Sequence, residues 1–128
     1  MTLGYTTKDG IDAMFQRLAA TGKMIRVSEM DIKVGTGSPS ADQLNQQADL
    51  YQYVIDSYIK NIPAGQRYGI TIWGIDDKDS WISGDAPLLW DANYTRKPAY
   101  KGYCDGLYGS DASADWNYGD LMNGGSGN

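Results

Sequence analysis

The sequence predicts an α/β fold with parallel strands, and three observations carry that prediction. Helical and strand periodicities alternate in the order helix, strand, helix, strand, helix. The long middle helix carries an unbroken apolar stripe and stops at Pro63, which suits packing on a sheet better than a coiled coil. The long irregular stretches both follow strands, which places them at one end of a parallel sheet, the end where ligands bind.

The elements follow in order. Ile11, Met14, Phe15 and Leu18 share one face at spacings of three and four, so residues 9–20 read as a helix. Asp9 is placed to cap its start and Gly22 to end it. Residues 24–34 read as a strand. Ile25, Val27, Glu29 and Asp31 fall on one face; Met24, Arg26, Ser28, Met30 and Ile32 fall on the other. The first face begins apolar and turns acidic, which predicts a buried base and a functional tip.

Gly35 to Pro39 form a loop, and Ser40 with Gln43 makes a capping box for the next helix. Leu44, Ala48, Tyr51, Ile55, Tyr58 and Ile62 make its apolar stripe; Asn45, Gln46 and Gln47 are expected on its wet face. Gly65 and Gln66 turn the chain into a second strand over 68–73. A long loop runs from Gly74 to Lys97, and Pro98 suits the first turn of a helix reaching about Leu107. From Gly109 onward the chain is rich in Gly, Ser, Asp and Asn and reads as a tail, with Trp116, Tyr118, Leu121 and Met122 as its docking residues. The expected division is therefore residues 1–108 as the folded part and 109–128 as the tail. Two strands do not make a stable sheet, so the chain either assembles with others or belongs to a larger alternating fold.

Composition narrows the function. The 128 residues suffice for one core, and a hydrophobic share of 41% argues against disorder. The net charge of −5 is not that of a nucleic-acid binder, and no apolar run is long enough to span a membrane. No signal peptide is expected at Met1, because Thr2, Leu3 and Gly4 supply neither a charged start nor an apolar core. Histidine is absent, which excludes Ser-His-Asp and Cys-His systems and His-based zinc sites within this chain. Cys104 stands alone and reads as a small buried hydrophobe. Carboxylates remain as the available catalytic groups.

The stretch Ile70 to Trp81 is the most informative. It reads as a short buried strand stopping at Trp73 and opening into an acidic loop that carries Trp81. Flat apolar faces with a polar handle, set beside carboxylates, suit a sugar. Asp76, Asp77 and Asp79 lack the spacing and closing Glu of a calcium loop, so they read as solvated loop charges.

Arg26-Val27-Ser28-Glu29-Met30-Asp31-Ile32 and Gly69-Ile70-Thr71-Ile72-Trp73-Gly74 carry a family resemblance. Asp79-Ser80-Trp81, Pro87-Leu88-Leu89 with Trp90-Asp91, and Lys97-Pro98-Ala99-Tyr100 extend it. Over residues 8–107 the chain resembles the C-terminal portion of glycoside hydrolase family 10, the endo-1,4-β-xylanases. The resemblance implies the last two strands of a TIM (β/α)₈ barrel, a portion incomplete as a barrel on its own. It implies a retaining mechanism on xylan, a xylo-oligosaccharide ligand, no cofactor and no metal. Glu29 matches the family's nucleophile. Asp31 matches a supporting carboxylate that bonds a histidine and helps set the nucleophile's ionisation. Trp73 and Trp81 match aromatic residues enclosing the sugar. The parent would be secreted or periplasmic.

The departures are specific. Ser28 and Met30 flank Glu29 where the family commonly has Thr and Leu. Ile82 stands where an Arg often follows the second Trp, and Trp90 replaces a usual Phe. No Asn-Glu motif for the acid/base residue occurs, nor a histidine to partner Asp31. The chain is thus expected to hold the nucleophile half of a site, with the remainder of the barrel coming from another segment or chain. The alternative is a non-catalytic carbohydrate-binding fragment using Trp73, Trp81 and Trp90 as a platform.

Overall fold

The computed structural model describes residues 1–109. In order it contains α1 (Lys8–Ala19), β1 (Ile25–Met30), α2 (Ala41–Asn61), β2 (Arg67–Ile72) and α3 (Pro98–Tyr108). Single 3₁₀ turns lie at Ala64–Gln66 and Ser83–Asp85. The tail residues Trp116, Tyr118, Leu121 and Met122 lie outside the described residues. β1 and β2 pair in parallel, as the alternation of elements predicts.

Thr7, not Asp9, caps α1: its side chain accepts from the Gly10 amide at 3.1 Å. Asp9 sits one residue into the helix, where a carboxylate still meets the positive end of the dipole. Ile11 and Phe15 are buried, but Leu18 at the end of the same face is 37% exposed.

β1 is shorter than its pattern suggests. Beyond Met30 the backbone leaves the sheet: the Ile32 amide donates to the Pro87 carbonyl at 3.1 Å and that of Val34 to the Asp85 carbonyl at 2.8 Å. The strict alternation expected along it also fails. Val27 pairs with Ile70 and Met30 with Ile72, so three steps on β1 face two on β2. This bulge exposes both Ser28 and Glu29 and turns Met30 into the core at 1% exposure. A second irregularity pairs Ile25 with Arg67 but Arg26 with Gly69; Gly69 has φ 138°, a conformation that side chains rarely adopt.

The Ser40–Gln43 capping box forms as predicted. Tyr51, Ile55, Tyr58 and Ile62 are buried along the stripe. Burying a side chain of this size contributes roughly 1.5–3 kcal/mol. Tyr58 also ties α2 to both strands: its hydroxyl donates to the Ile25 carbonyl at 2.7 Å and accepts from the Gly69 amide at 3.1 Å. Gln47, expected on the wet face, is fully buried, and its Nε2 donates to the carbonyls of Ile32 (2.7 Å) and Ala86 (2.8 Å). It lies between Leu44 and Tyr51 on the stripe, so periodicity places it inward although its polarity does not.

Pro98 occupies the first turn of α3, and Cys104 is buried, both as expected. Gly102 lets α3 lie against α2; a Cβ there would run into the Ala48 carbonyl.

Candidate active site

The two strand ends are joined directly. The Trp73 amide donates to the Met30 carbonyl at 3.1 Å, so Trp73 leaves β2 beside the residue that follows Glu29 on β1. Glu29, the chain's one glutamate, is exposed on the bulge. Trp73 is 47% exposed and Trp81 71% exposed.

Trp81 is tied back to β1. Its indole Nε1 donates to Asp31 Oδ2 at 2.8 Å. The other Asp31 oxygen lies 3.8 Å from the Met1 amino group, which donates to the Asp31 carbonyl at 3.0 Å. The four residues singled out from the sequence, Glu29, Asp31, Trp73 and Trp81, therefore belong to one end of the two-stranded sheet. Tryptophan and carboxylate are linked in the case of Trp81 and Asp31.

The loop after β2 is held from inside. Asp76 and Asp77 are buried, at 3% and 7% exposure, which corrects their reading as solvated charges. Asp76 Oδ1 accepts from the amides of Lys78 (3.0 Å) and Asp79 (3.1 Å), a turn built on its own side chain. Asp77 Oδ1 accepts from the Leu88 amide at 2.7 Å, and Asp77 Oδ2 pairs with Lys97 Nζ at 2.9 Å. Lys97 Nζ also donates to the carbonyls of Ala86 (2.9 Å) and Leu88 (2.7 Å). Burial raises the Asp77 carboxyl above its ordinary value and lowers the Lys97 ammonium below its own, each against the pull of the other.

Ala86 holds a left-handed backbone with φ 46°, and its carbonyl receives both Gln47 and Lys97. Such a conformation persists where the surroundings fix it. Trp90 packs edge-on against Tyr100 with ring centroids 5.0 Å apart and is half-buried, so it contributes to this framework rather than to an exposed platform. Lys97, Asp77 and Gln47 are the residues that sequence reasoning missed. The signal for the first two was a lysine and an aspartate bracketing a long loop rich in apolar residues.

Two cavities bracket the site. One, of about 330 Å³, lies between the loops that follow the strands and is lined in part by Asp77, Asp91 and Lys97; it contains none of the four residues. The other, of about 320 Å³, runs along β1 and is lined by Met14, Leu18, Val27, Ser28 and Glu29 among others. Glu29 thus faces a partly apolar hollow beside its own strand. Among the described residues, no cluster of His, Cys, Asp and Glu could hold a metal ion, and no helix is long and apolar enough to cross a membrane.

The chain is also similar to known proteins. The family model described as glycosyl hydrolase family 10 matches residues 1–105. The endo-1,4-beta-xylanase B of Humicola insolens is 41% identical over 95 residues, which are 70% of this chain and 25% of that protein. Endo-beta-1,4-xylanase Xyn10C of Cellvibrio japonicus is 28% identical over 84% of this chain and 22% of its own length. Among solved structures, a thermostable mutant of a Cellvibrio japonicus xylanase (Xyn10A) superposes with a TM-score of 0.76 at 28% identity, covering 84% of this chain and 38% of that one. The Xyn10C xylanase of the same organism has also been solved in complex with xylopentaose; it gives a TM-score of 0.76 at 26% identity, with 84% and 26% covered. The chain spans about a quarter of the length of these curated relatives, and its two parallel strands with their helices are an α/β portion of the fold those structures share. With a family model matched over residues 1–105, the chain belongs to glycosyl hydrolase family 10.

Proposed function

We propose that this chain is the C-terminal part of a retaining endo-1,4-β-xylanase and carries the nucleophile half of its active site. β1 and β2 would be the last two strands of a (β/α)₈ barrel, and residues 1–108 its folded portion, followed by the 109–128 tail. The observation that carries this reading is the Trp73–Met30 hydrogen bond, which sets Trp73 beside the residue after Glu29 at the C-terminal ends of two parallel strands. Barrel enzymes keep their chemistry at that end.

In this reading Glu29 attacks the anomeric carbon of a xylosyl unit and forms the glycosyl-enzyme ester as the leaving sugar departs. A protonated carboxyl about 5–5.5 Å away assists that departure and later activates water. No Asn-Glu motif occurs in the chain, so in this reading the second carboxyl comes from the remainder of the barrel. Trp73 and Trp81 stack on the apolar faces of the sugar and exclude water from the reacting bond. The hollow along β1 is where a neighbouring strand of the barrel would pair, and the second carboxyl would come from an earlier strand.

The test is an assay of the purified chain on xylan and on an aryl xyloside. No turnover is expected from the chain alone. Turnover that vanishes in Glu29→Ala would overturn the need for a second segment. Mass measurement of the chain with the rest of the barrel supplied should show a complex; a lone, folded monomer at all concentrations counts against it.

The exposure of Trp73 and Trp81 also favours a second reading, a carbohydrate-binding fragment without chemistry. Xylo-oligosaccharide titration separates the two. The binding fragment keeps its affinity in Glu29→Ala and forms no covalent adduct with a fluorinated xyloside bearing a good leaving group.

A further inference from the structure

We propose that Asp31 is a positioning residue for Trp81: it clamps the indole before substrate arrives, so that the ring stands as a preset wall for a xylosyl unit. The inference rests on the sugar-binding reading above and gives Asp31 a task that does not need a histidine partner.

The geometry supports the clamp at both ends. Trp81 is 71% exposed, so packing alone does not fix its two side-chain torsions. Its single ring donor, Nε1–H, meets Asp31 Oδ2 at 2.8 Å, within the range of a charge-assisted bond. The anchor is itself rigid. The Asp31 side chain is 12% exposed. The Met30 carbonyl before it accepts from the Trp73 amide, and the Ile32 amide after it donates to the Pro87 carbonyl. Trp73 and Trp81 are thereby referenced to two adjacent residues, Met30 and Asp31, one and two positions beyond Glu29. The local turn helps: the Ser80 hydroxyl accepts from the Ile82 amide at 3.1 Å and directs the chain around Trp81. A ring that is already oriented does not have to be ordered by the ligand, and the affinity saved is that ordering cost.

The test uses the full chain, ¹⁵N-labelled, with xylohexaose as the probe. The Trp81 indole N–H resonance, assigned through Trp81→Phe, should be protected from exchange in the wild type. Asp31→Ala should expose it and weaken xylohexaose binding about tenfold, the scale of one hydrogen bond to a charged group. Asp31→Asn keeps an acceptor oxygen and should restore most of both. In a Trp81→Phe background, Asp31→Ala should cost nothing further in affinity, which a general loss of structure would not reproduce. An indole resonance and an affinity unchanged by Asp31→Ala would overturn the clamp alone. A wild-type indole that stays clamped but does not respond to xylohexaose, even with the rest of the barrel supplied, would overturn the sugar reading and, with it, the purpose assigned to the clamp.

Discussion

Lys97 Nζ and Asp77 Oδ2 lie 2.9 Å apart inside the loop that carries Trp81, with both side chains less than a tenth exposed. The pair sits at the two ends of the loop's irregular path and meets the Ala86 and Leu88 carbonyls and the Leu88 amide between them. It therefore does for this loop what a ladder of hydrogen bonds does for a strand.

Lys97→Met is expected to be destabilising by about 3 kcal/mol, because it leaves Asp77 buried without its cation. The deficit has a defined pH dependence. Burial already raises the folded Asp77 carboxyl above its unfolded value, and loss of Lys97 raises it further. A raised carboxyl takes up its proton more readily in the folded state, so the deficit shrinks as pH falls through that folded value and grows as pH rises. Thermal melts of wild type and variant across the acidic range check this; a deficit independent of pH would be the contrary result.

Asp12 shows the opposite sign. Its carboxylate accepts from Ser57, Tyr53 and Asn61 on α2, and the Ser57 and Tyr53 bonds hold it below the usual carboxylate range. The stability it contributes is present above the ordinary value of 3.8 and is lost as pH falls through the lower folded value. Asp12→Asn should melt below wild type at neutral pH, and the gap should close at strongly acid pH.

Gly102→Ala sets two effects against each other. Alanine favours a helix interior over glycine by about 1 kcal/mol. The added Cβ meets the backbone of Ala48, which has no rotamer to give way, and overpacking of that kind costs about 1–3 kcal/mol or more. The clash is expected to win and lower the melting temperature. Gly65→Ala, which meets nothing within 4 Å, is the control and should leave it unchanged.

Gln47→Leu keeps the volume of a buried side chain but withdraws both donors from it. The Ala86 carbonyl retains Lys97, whereas the Ile32 carbonyl loses its Gln47 partner. A cost of about 1–3 kcal/mol in urea unfolding is expected, the scale for one buried polar group left unmet. No measurable loss would mean that the Ile32 carbonyl finds another donor.

What could be read in the sequence and what could not divide along physical lines. The parallel pairing, the capping box at Ser40, Pro98 at the head of α3 and the apolar stripe from Tyr51 to Ile62 rest on local propensity and periodicity. Those preferences act over a few residues and are legible one residue at a time. Glu29, Asp31, Trp73 and Trp81 stand out in the sequence as carboxylates and aromatic rings at strand ends, and the roles proposed for them come from the family resemblance.

The tertiary structure decided the rest. It placed the bulge at Ser28 and Glu29 that breaks the expected alternation, since register depends on the partner strand rather than on β1. It turned Asp77 from a loop charge into a buried anchor, because its cation lies 20 residues away. It also joined Trp81 to Asp31 across a separation of 50 residues. Burial and long-range partners emerge when distant segments fold against each other, and no local pattern encodes which acid will meet which donor.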